Sequence, residues 1–466
     1  MSATTPRSTR VKGLNHRHIH FIALGSAIGT GLFYGSADAI QAAGPSVLLV
    51  YLLGGIVVYA LLRALGEMSV NHPMQGSFAV YTRAYMGKWA GYITGWMFAF
   101  EMLIVCLADL TAIGIYMKFW FPNSPQWIWV AVTLLIVGAA NLASVNWFGE
   151  MEFVFTIIKV GAVVAMIIGG AAILIFGLSP ADRTVGFANL TDDGGFFPNG
   201  AGGMIASFIL VLFAFGGTEI IGVAGSEAED PDASVPKAVN TVPIRILIFY
   251  VLAILIILLL NPWRSITGDQ SPFVQIFDTL GVSWAAALLN IVVITAALSS
   301  LNAGLYSTGR IVRSLSLAGS APEWAGRLNK SGVPFGGIAL TAIVGVLGVI
   351  VNFVMPGQAF EVMINMASVG VITCWASICL SHLKFVKAAR AGQFERPDYK
   401  APFYPVADYL TLIFLAGVVI LMGFDKPIGT WSLIVCVVIV APALFFGWKA
   451  VERSGRKPAA NVDFEV

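Results

Sequence analysis

Long apolar runs separated by short polar links follow one another along this chain. Windows 119–149, 160–181, 196–218, 279–309, 331–360, 362–383 and 427–448 contain no Asp, Glu, Lys or Arg. Each exceeds the ~20 residues a helix needs to cross about 30 Å of hydrocarbon. Stretches interrupted by one or two charges bring the expected spans to twelve, beginning near His18, Ser46, Trp89, Trp127, Glu152, Gly200, Thr241, Ser283, Gly336, Phe360, Ala407 and Thr430. Apolar and polar positions do not alternate as in the strands of an outer-membrane barrel. The pattern predicts an all-α integral membrane protein with twelve transmembrane helices and no separate soluble domain.

Two of these spans carry glycine clusters: Gly25-Ser-Ala-Ile-Gly-Thr-Gly31 in span 1 and Phe213-Ala-Phe-Gly-Gly-Thr-Glu219 in span 6. Glycine weakens a helix, and unpaired backbone groups at membrane depth are tolerated only where they line a site. Two broken helices are therefore expected. Five spans per unit is an odd number, so a second copy enters the membrane with opposite polarity, as in an inverted repeat. A weaker echo agrees. Gly76-Ser-Phe…Tyr81…Gly87…Trp89 between spans 2 and 3 resembles Ser271-Pro-Phe…Ile276…Gly281…Trp284 between spans 7 and 8, and each reads as a short amphipathic helix. The expected organisation is a tail (1–17), a first repeat of five spans (18–178), a second (200–383), two further helices (407–448) and a second tail (449–466).

Basic residues set the orientation. With the N-terminus cytoplasmic, inner segments hold 21 Lys and Arg. Outer segments hold only Lys118, Arg183, Arg264 and Lys426, so both termini are expected inside. The first span lacks the short apolar core and small-residue cleavage site of a signal peptide, and is expected to be retained.

Composition narrows the class. At 58% hydrophobic and 11% charged the chain is far from the ~25% charged of soluble proteins, and its net charge of +2 gives no reason to expect nucleic acid as a partner. Cys106, Cys374, Cys379 and Cys436 fall within spans without disulfide or metal spacing and read as small packing residues. His16, His18, His20, His72 and His382 lie at expected cytoplasmic edges, and none is expected to meet an acid at membrane depth. No metal, cofactor or hydrolytic constellation is indicated.

A broken helix supplies opposite partial charges a few ångströms apart, N–H groups at the start of one half and carbonyls at the end of the other. In span 1 the N–H groups of Thr30 and Gly31 suit a carboxylate, and the Ala27 carbonyl suits an ammonium. In span 6 the carbonyls of Phe213 and Gly216 complete the ammonium site. Lys159 lies within span 5, where an intramembrane charge is costly and commonly functional, although a snorkelling side chain is the plainer reading. Glu219 follows the second break within a turn, as a cap of the half-helix or as a proton-linked acid. Glu101 and Asp109 lie in span 3. Arg63 and Glu67, four apart in span 2, are expected to pair on one helix face. Glu227, Glu229, Asp230 and Asp232 read as a solvated loop, or as an inner gate facing Arg10, Lys12 or Arg17.

The segments His18–Phe33, Ala43-Gly-Pro45, Arg63-Ala-Leu-Gly-Glu67, Phe215-Gly-Gly-Thr-Glu219 and the loop Arg310…Ala318-Gly-Ser-Ala-Pro322…Gly332-Val-Pro334 resemble bacterial amino acid permeases of the amino acid–polyamine–organocation superfamily. The likeness runs from about residue 12 to 450. It implies the five-plus-five inverted-repeat fold with helices 1 and 6 broken and two C-terminal helices added. It also implies proton-coupled uptake of an amino acid by alternating access across the cytoplasmic (inner) membrane.

By the same resemblance Phe213 is the aromatic gate, with Phe215 beside it as a gating residue. Lys159 replaces the cation bound by sodium-coupled relatives, Asp109 matches an acidic position of these permeases, and Glu219 joins a central polar network. The segment from Phe100 to Asp109 looks most like the proline and histidine permeases. That favours histidine or proline as substrate, with another neutral or aromatic amino acid, or exchange, as the alternative. The expected partners are the amino acid, a proton and the lipid bilayer, and nothing specifies an oligomer. A channel lacks any need for a zwitterion site, and an enzyme lacks its reactive groups here.

Overall fold

The apolar runs become helices because lipid offers no partner to a backbone N–H or C=O. The computed structural model describes residues 28–72, 78–143, 145–177, 185–220, 231–279, 283–329, 333–456 and 458. Span 1 contributes α1 (Thr30–Phe33) and α2 (Gly35–Ala43), followed by α3 (Val47–Asn71), α4 (Phe78–Met86), α5 (Lys88–Met117), α6 (Gln126–Ala143) and α7 (Val145–Phe176). Then come α8 (Gly200–Phe215), α9 (Pro231–Asn240), and α10 (Val242–Ile246) running through a π-turn into α11 (Ala253–Leu260). The remaining helices are α12 (Pro272–Thr279), α13 (Ser283–Leu317), α14 (Phe335–Val354), α15 (Ala359–Arg390), α16 (Val406–Phe424), α17 (Ile428–Val435) and α18 (Ala441–Ser454).

Among the described residues nine helical stretches are long and apolar enough to cross a membrane. Leu135, Ile168, Ile175, Val354 and Phe424 are 64–78% exposed on the outside of the bundle, an apolar surface that suits lipid. The chain is a multi-pass membrane protein. The expected start near His18 lies outside the described residues, and the other helix starts follow the expected spans closely with one exception. Span 5 begins at Val145 rather than near Glu152, which places Lys159 fourteen residues into α7. The short helices α4 and α12 stand where the sequence echo places them.

The most extensive helix pairing is between α5 and α13. It depends on small residues: a Cβ at Gly304 would lie 2.7 Å from Cys106 Sγ, and one at Gly95 would lie 2.6 Å from a Leu315 methyl. Polar pairs fasten the neighbouring helices. Gln126 Nε2 donates to Asn352 Oδ1 at 2.7 Å, and Asn352 Nδ2 donates to Thr111 Oγ1 at 2.9 Å. This chain links α6, α14 and α5 through fully buried side chains. Between helices in lipid such bonds contribute on the order of 0.6 kcal/mol each, because the separated helices also find partners.

Candidate functional site at the two helix breaks

A helix begins at the first glycine cluster, and the residues before Ile28, where the preceding half of span 1 is expected, lie outside the described residues. Gly29 is extended (φ −123°, ψ −165°), and its carbonyl accepts from the N–H groups of Leu32 and Phe33 at 3.1 and 3.2 Å. Thr30 and Gly31 therefore form a helix's first turn, whose N–H groups have no acceptor within the helix. Ala27 lies outside the described residues, as do Arg10, Lys12, Arg17, Glu227, Glu229 and Asp230 of the expected inner gate.

In span 6, α8 ends at Phe215. The Gly216 N–H turns back to the Leu212 and Phe213 carbonyls at 3.1 and 2.9 Å, and Gly217 adopts φ +87°. Only glycine takes that conformation without strain. The Phe213 carbonyl keeps a second lone pair beyond this bond.

The breaks touch. A Cβ added to Gly31 would lie 2.5 Å from Ala214 Cα, so the first turn of α1 rests on the backbone of α8. On the other side, Thr30 Oγ1 donates to Asp109 Oδ1 at 2.6 Å. Gly29 faces Ser300 of α13. The adjacent Ser299 Oγ accepts from Lys159 Nζ at 2.8 Å. Thr30, Asp109, Lys159 and Ser299 are each at most 2% exposed. Snorkelling is thus overturned for Lys159: its amine is buried and bonded to a neighbouring helix.

Glu219 accepts a hydrogen bond with each carboxylate oxygen. Its Oε1 accepts from the Gly217 N–H at 3.2 Å and its Oε2 from Trp375 Nε1 at 3.2 Å. Glu101 sits on the same side. Its carboxyl approaches Glu219 and the Cys374 thiol without closing a hydrogen bond, and neither oxygen is engaged among the described residues. A Cβ on Gly216 would stand 3.8 Å from Glu101 Oε1, and one on Gly370 would stand 2.6 Å from Glu101 Cβ. Two glycines thus admit a wholly buried acid beside the second break.

Phe213 belongs to an aromatic group over the breaks. Its ring meets Phe360 edge-on at 6.4 Å, Phe360 meets Tyr34 at 4.6 Å, and Tyr34 meets Tyr116 at 5.9 Å. Phe215 faces elsewhere, packing on Tyr250 at 4.7 Å and Tyr51 at 6.0 Å, with Gly54 beneath its ring. The structure therefore separates the two phenylalanines that the sequence places together as gating residues. Phe215 packs between α8, α3 and the span that follows, because residues two apart on a helix do not share a face.

A second polar cluster overturns two expectations. Glu67 does not pair with Arg63: both Nε and Nη2 of Arg396 donate to its carboxylate, the latter at 2.9 Å, as does the Ala401 N–H at 2.5 Å. Arg63 instead donates to Asn240 Oδ1 at 2.9 Å and to the Lys400 carbonyl, and lies over the Tyr399 ring. His382 is wholly buried between two acids, with Nε2 3.2 Å from Glu67 Oε2 and Nδ1 3.0 Å from Asp408 Oδ1. The bond to Glu67 pushes the Arg396 guanidinium above its ordinary value, so it stays charged. This group joins α3, α15 and α16 through the loop between the latter two. Its only sequence signal is a set of charged residues near helix ends. The four cysteines are free and buried, as packing residues should be.

Residues 18–462 match the model of the family described as amino acid permease. The chain is 42% identical over 447 residues to an L-asparagine permease of Escherichia coli, covering 95% of this chain and 89% of that protein. It is 43% identical over 445 residues to L-asparagine permease 1 of Mycobacterium bovis, covering 95% and 91%. It is also 44% identical over 414 residues to an uncharacterized amino acid permease, YtnA, of Bacillus subtilis, covering 89% of each chain.

Proposed function

This chain belongs to the amino acid permease family and carries an amino acid across a membrane, and from that premise we propose proton-coupled import of a neutral amino acid, asparagine first. The observation that carries this reading is the contact of the two breaks at Gly31 and Ala214, with Thr30–Asp109 and Lys159–Ser299 beside it. The substrate carboxylate takes the N–H groups of Thr30 and Gly31, and its ammonium takes the carbonyls of Ala27, Phe213 and Gly216. Phe213 closes over it, while Lys159, Asp109 and Glu219 handle the proton. Twelve crossings in a five-plus-five inverted repeat, both termini cytoplasmic and a location in the inner membrane complete the proposal. The 21-to-4 basic asymmetry supports the orientation.

The side-chain choice rests on Glu101. Its two unengaged oxygens suit a donor, and the names of the relatives make a carboxamide N–H the first choice. An imidazole or a compact ring, as in histidine and proline, is the second reading, favoured by the likeness of the Phe100–Asp109 segment. Purified protein in liposomes, given an inward proton gradient and labelled asparagine, tests the proposal. Accumulation should collapse with an uncoupler, and unlabelled asparagine should compete better than histidine, proline or aspartate. Accumulation that follows sodium, or competition led by aspartate, overturns it.

A further inference from the structure

The polar chain does not end at the lysine. Lys159 Nζ donates to Ser299 Oγ at 2.8 Å, and Ser299 Oγ donates in turn to Glu152 Oε1 at 2.7 Å. Lys159 and Glu152 stand seven residues apart on α7, almost two full turns, and so share one face. Helical side chains lean toward the N-terminus. That lean brings Nζ to 3.9 Å from Glu152 Oε1. Thr156 Oγ1 donates to the same oxygen at 3.4 Å. Glu152, Thr156, Lys159 and Ser299 are all at most 1% exposed. The second carboxylate oxygen of Glu152 has no hydrogen-bond partner among the described residues.

The order of donors and acceptors matters here. An amine, a hydroxyl and a carboxylate stand in line, each within direct proton-transfer distance of the next. Asp109, bonded to Thr30 at the first break, also interacts electrostatically with the amine. The amine is thus coupled both to the acid bonded to Thr30 and to an acid in the first turns of α7. The geometry points to Glu152 as the inner acceptor of the coupling proton, reached from Lys159 through the Ser299 hydroxyl. This rests on the proton-coupled reading above and on the orientation that puts the start of α7 on the cytoplasmic side.

The step balances. A proton leaves Lys159 Nζ for Ser299 Oγ while the Ser299 hydroxyl proton passes to Glu152 Oε1. The ammonium becomes an amine and the carboxylate a carboxylic acid, so the group's net charge is unchanged. Loss of the proton from Glu152 to cytoplasmic water, a turn of the Ser299 hydroxyl and delivery of a new proton to Lys159 from Asp109 reset the chain. The transfer itself removes the ion pair as a unit, so it creates no isolated charge in the low-dielectric interior, which is the costly alternative. The carboxylate left by proton loss is neutralised again when Lys159 is recharged.

Glu152→Gln keeps an acceptor for Ser299 but cannot take the proton. Ser299→Ala leaves the charges and removes the bridge, and Ser299→Thr restores a hydroxyl. Proteoliposomes loaded with a pH-sensitive dye, given external asparagine, report proton entry, and counterflow of labelled against internal asparagine reports carriage of substrate. Counterflow should persist in Glu152→Gln and Ser299→Ala while substrate-linked acidification falls at least tenfold, and Ser299→Thr should regain most of it. Should Glu152→Gln fail to fold, the contrast between Ser299→Ala and Ser299→Thr decides alone. Undiminished acidification in Ser299→Ala, or in a folded Glu152→Gln, overturns the relay and leaves proton coupling standing. Wild-type counterflow without any acidification overturns both.

Discussion

Gly31 rests on Ala214 so closely that a Cβ at Gly31 would lie 2.5 Å from Ala214 Cα and 3.2 Å from its backbone nitrogen. The atoms in the way belong to backbone, which cannot rotate aside. Gly31→Ala should therefore force the two half-helices apart, an overpacking cost of about 1–3 kcal/mol. Asparagine affinity should fall at least tenfold while the protein still inserts. A binding isotherm indistinguishable from wild type would remove the contact from the site.

Gly217 holds φ +87° at the second break. Left-handed backbone costs an L-residue roughly 1–2 kcal/mol, and Gly217→Ala should lower the midpoint of thermal unfolding in detergent. Gly216, at φ −56°, has no such backbone demand, and a Cβ there meets a Val371 methyl and the Phe213 carbonyl at 3.0 and 3.1 Å. Its replacement by Ala should act mainly on transport. Equal loss of stability in the two variants would contradict this division.

Glu101 offers two unengaged oxygens beside Gly216. If they accept a substrate N–H, Glu101→Gln should weaken asparagine binding by about 0.5–1.5 kcal/mol, the net value of a typical hydrogen bond. Alanine binding should change little. Competition assays with both amino acids check this, and parallel loss of both would assign Glu101 a structural role.

His382 lies between Glu67 and Asp408, with Arg396 on the far side of Glu67. His382→Ala removes the group that separates two buried carboxylates. Breaking a buried pair from one side costs about 3–5 kcal/mol, so the variant should unfold at a clearly lower temperature. Glu67→Gln should do less harm, since its amide oxygen still accepts from Arg396. A thermal-shift series in detergent would separate them, and equal midpoints for the two variants would argue against the clamp.

The long apolar helices, the helix ends at the two glycine clusters and Lys159 within span 5 are legible in the sequence because each is a local signal: an uncharged window, a glycine cluster, a lone charge in an apolar run. The placement of Phe215 is not, since its contacts depend on how α8 is rotated against α3. Nor is the pairing of Glu67. The four-residue rule offers Arg63, yet the winning partners lie 315 and 329 residues away along the chain. Glu152 reads as the edge of span 5 until α7 is seen to begin at Val145. A residue taken for a boundary is then inside the helix, seven positions from Lys159 and on its face.

The pairing of α5 with α13, closed by glycines and fastened to α6 and α14 by buried amides, differs in kind from the interrupted helices beside it. Continuous ladders must rupture many bonds together before any amide reaches solvent, whereas the turns around Gly29 and Gly217 open a few at a time. Deuterium uptake should consequently be graded, earliest at the two interruptions and latest along the centre of α5 and α13. Such a gradient is that of a pivot set in a stiff mount, with compliance placed where the proposed substrate site lies.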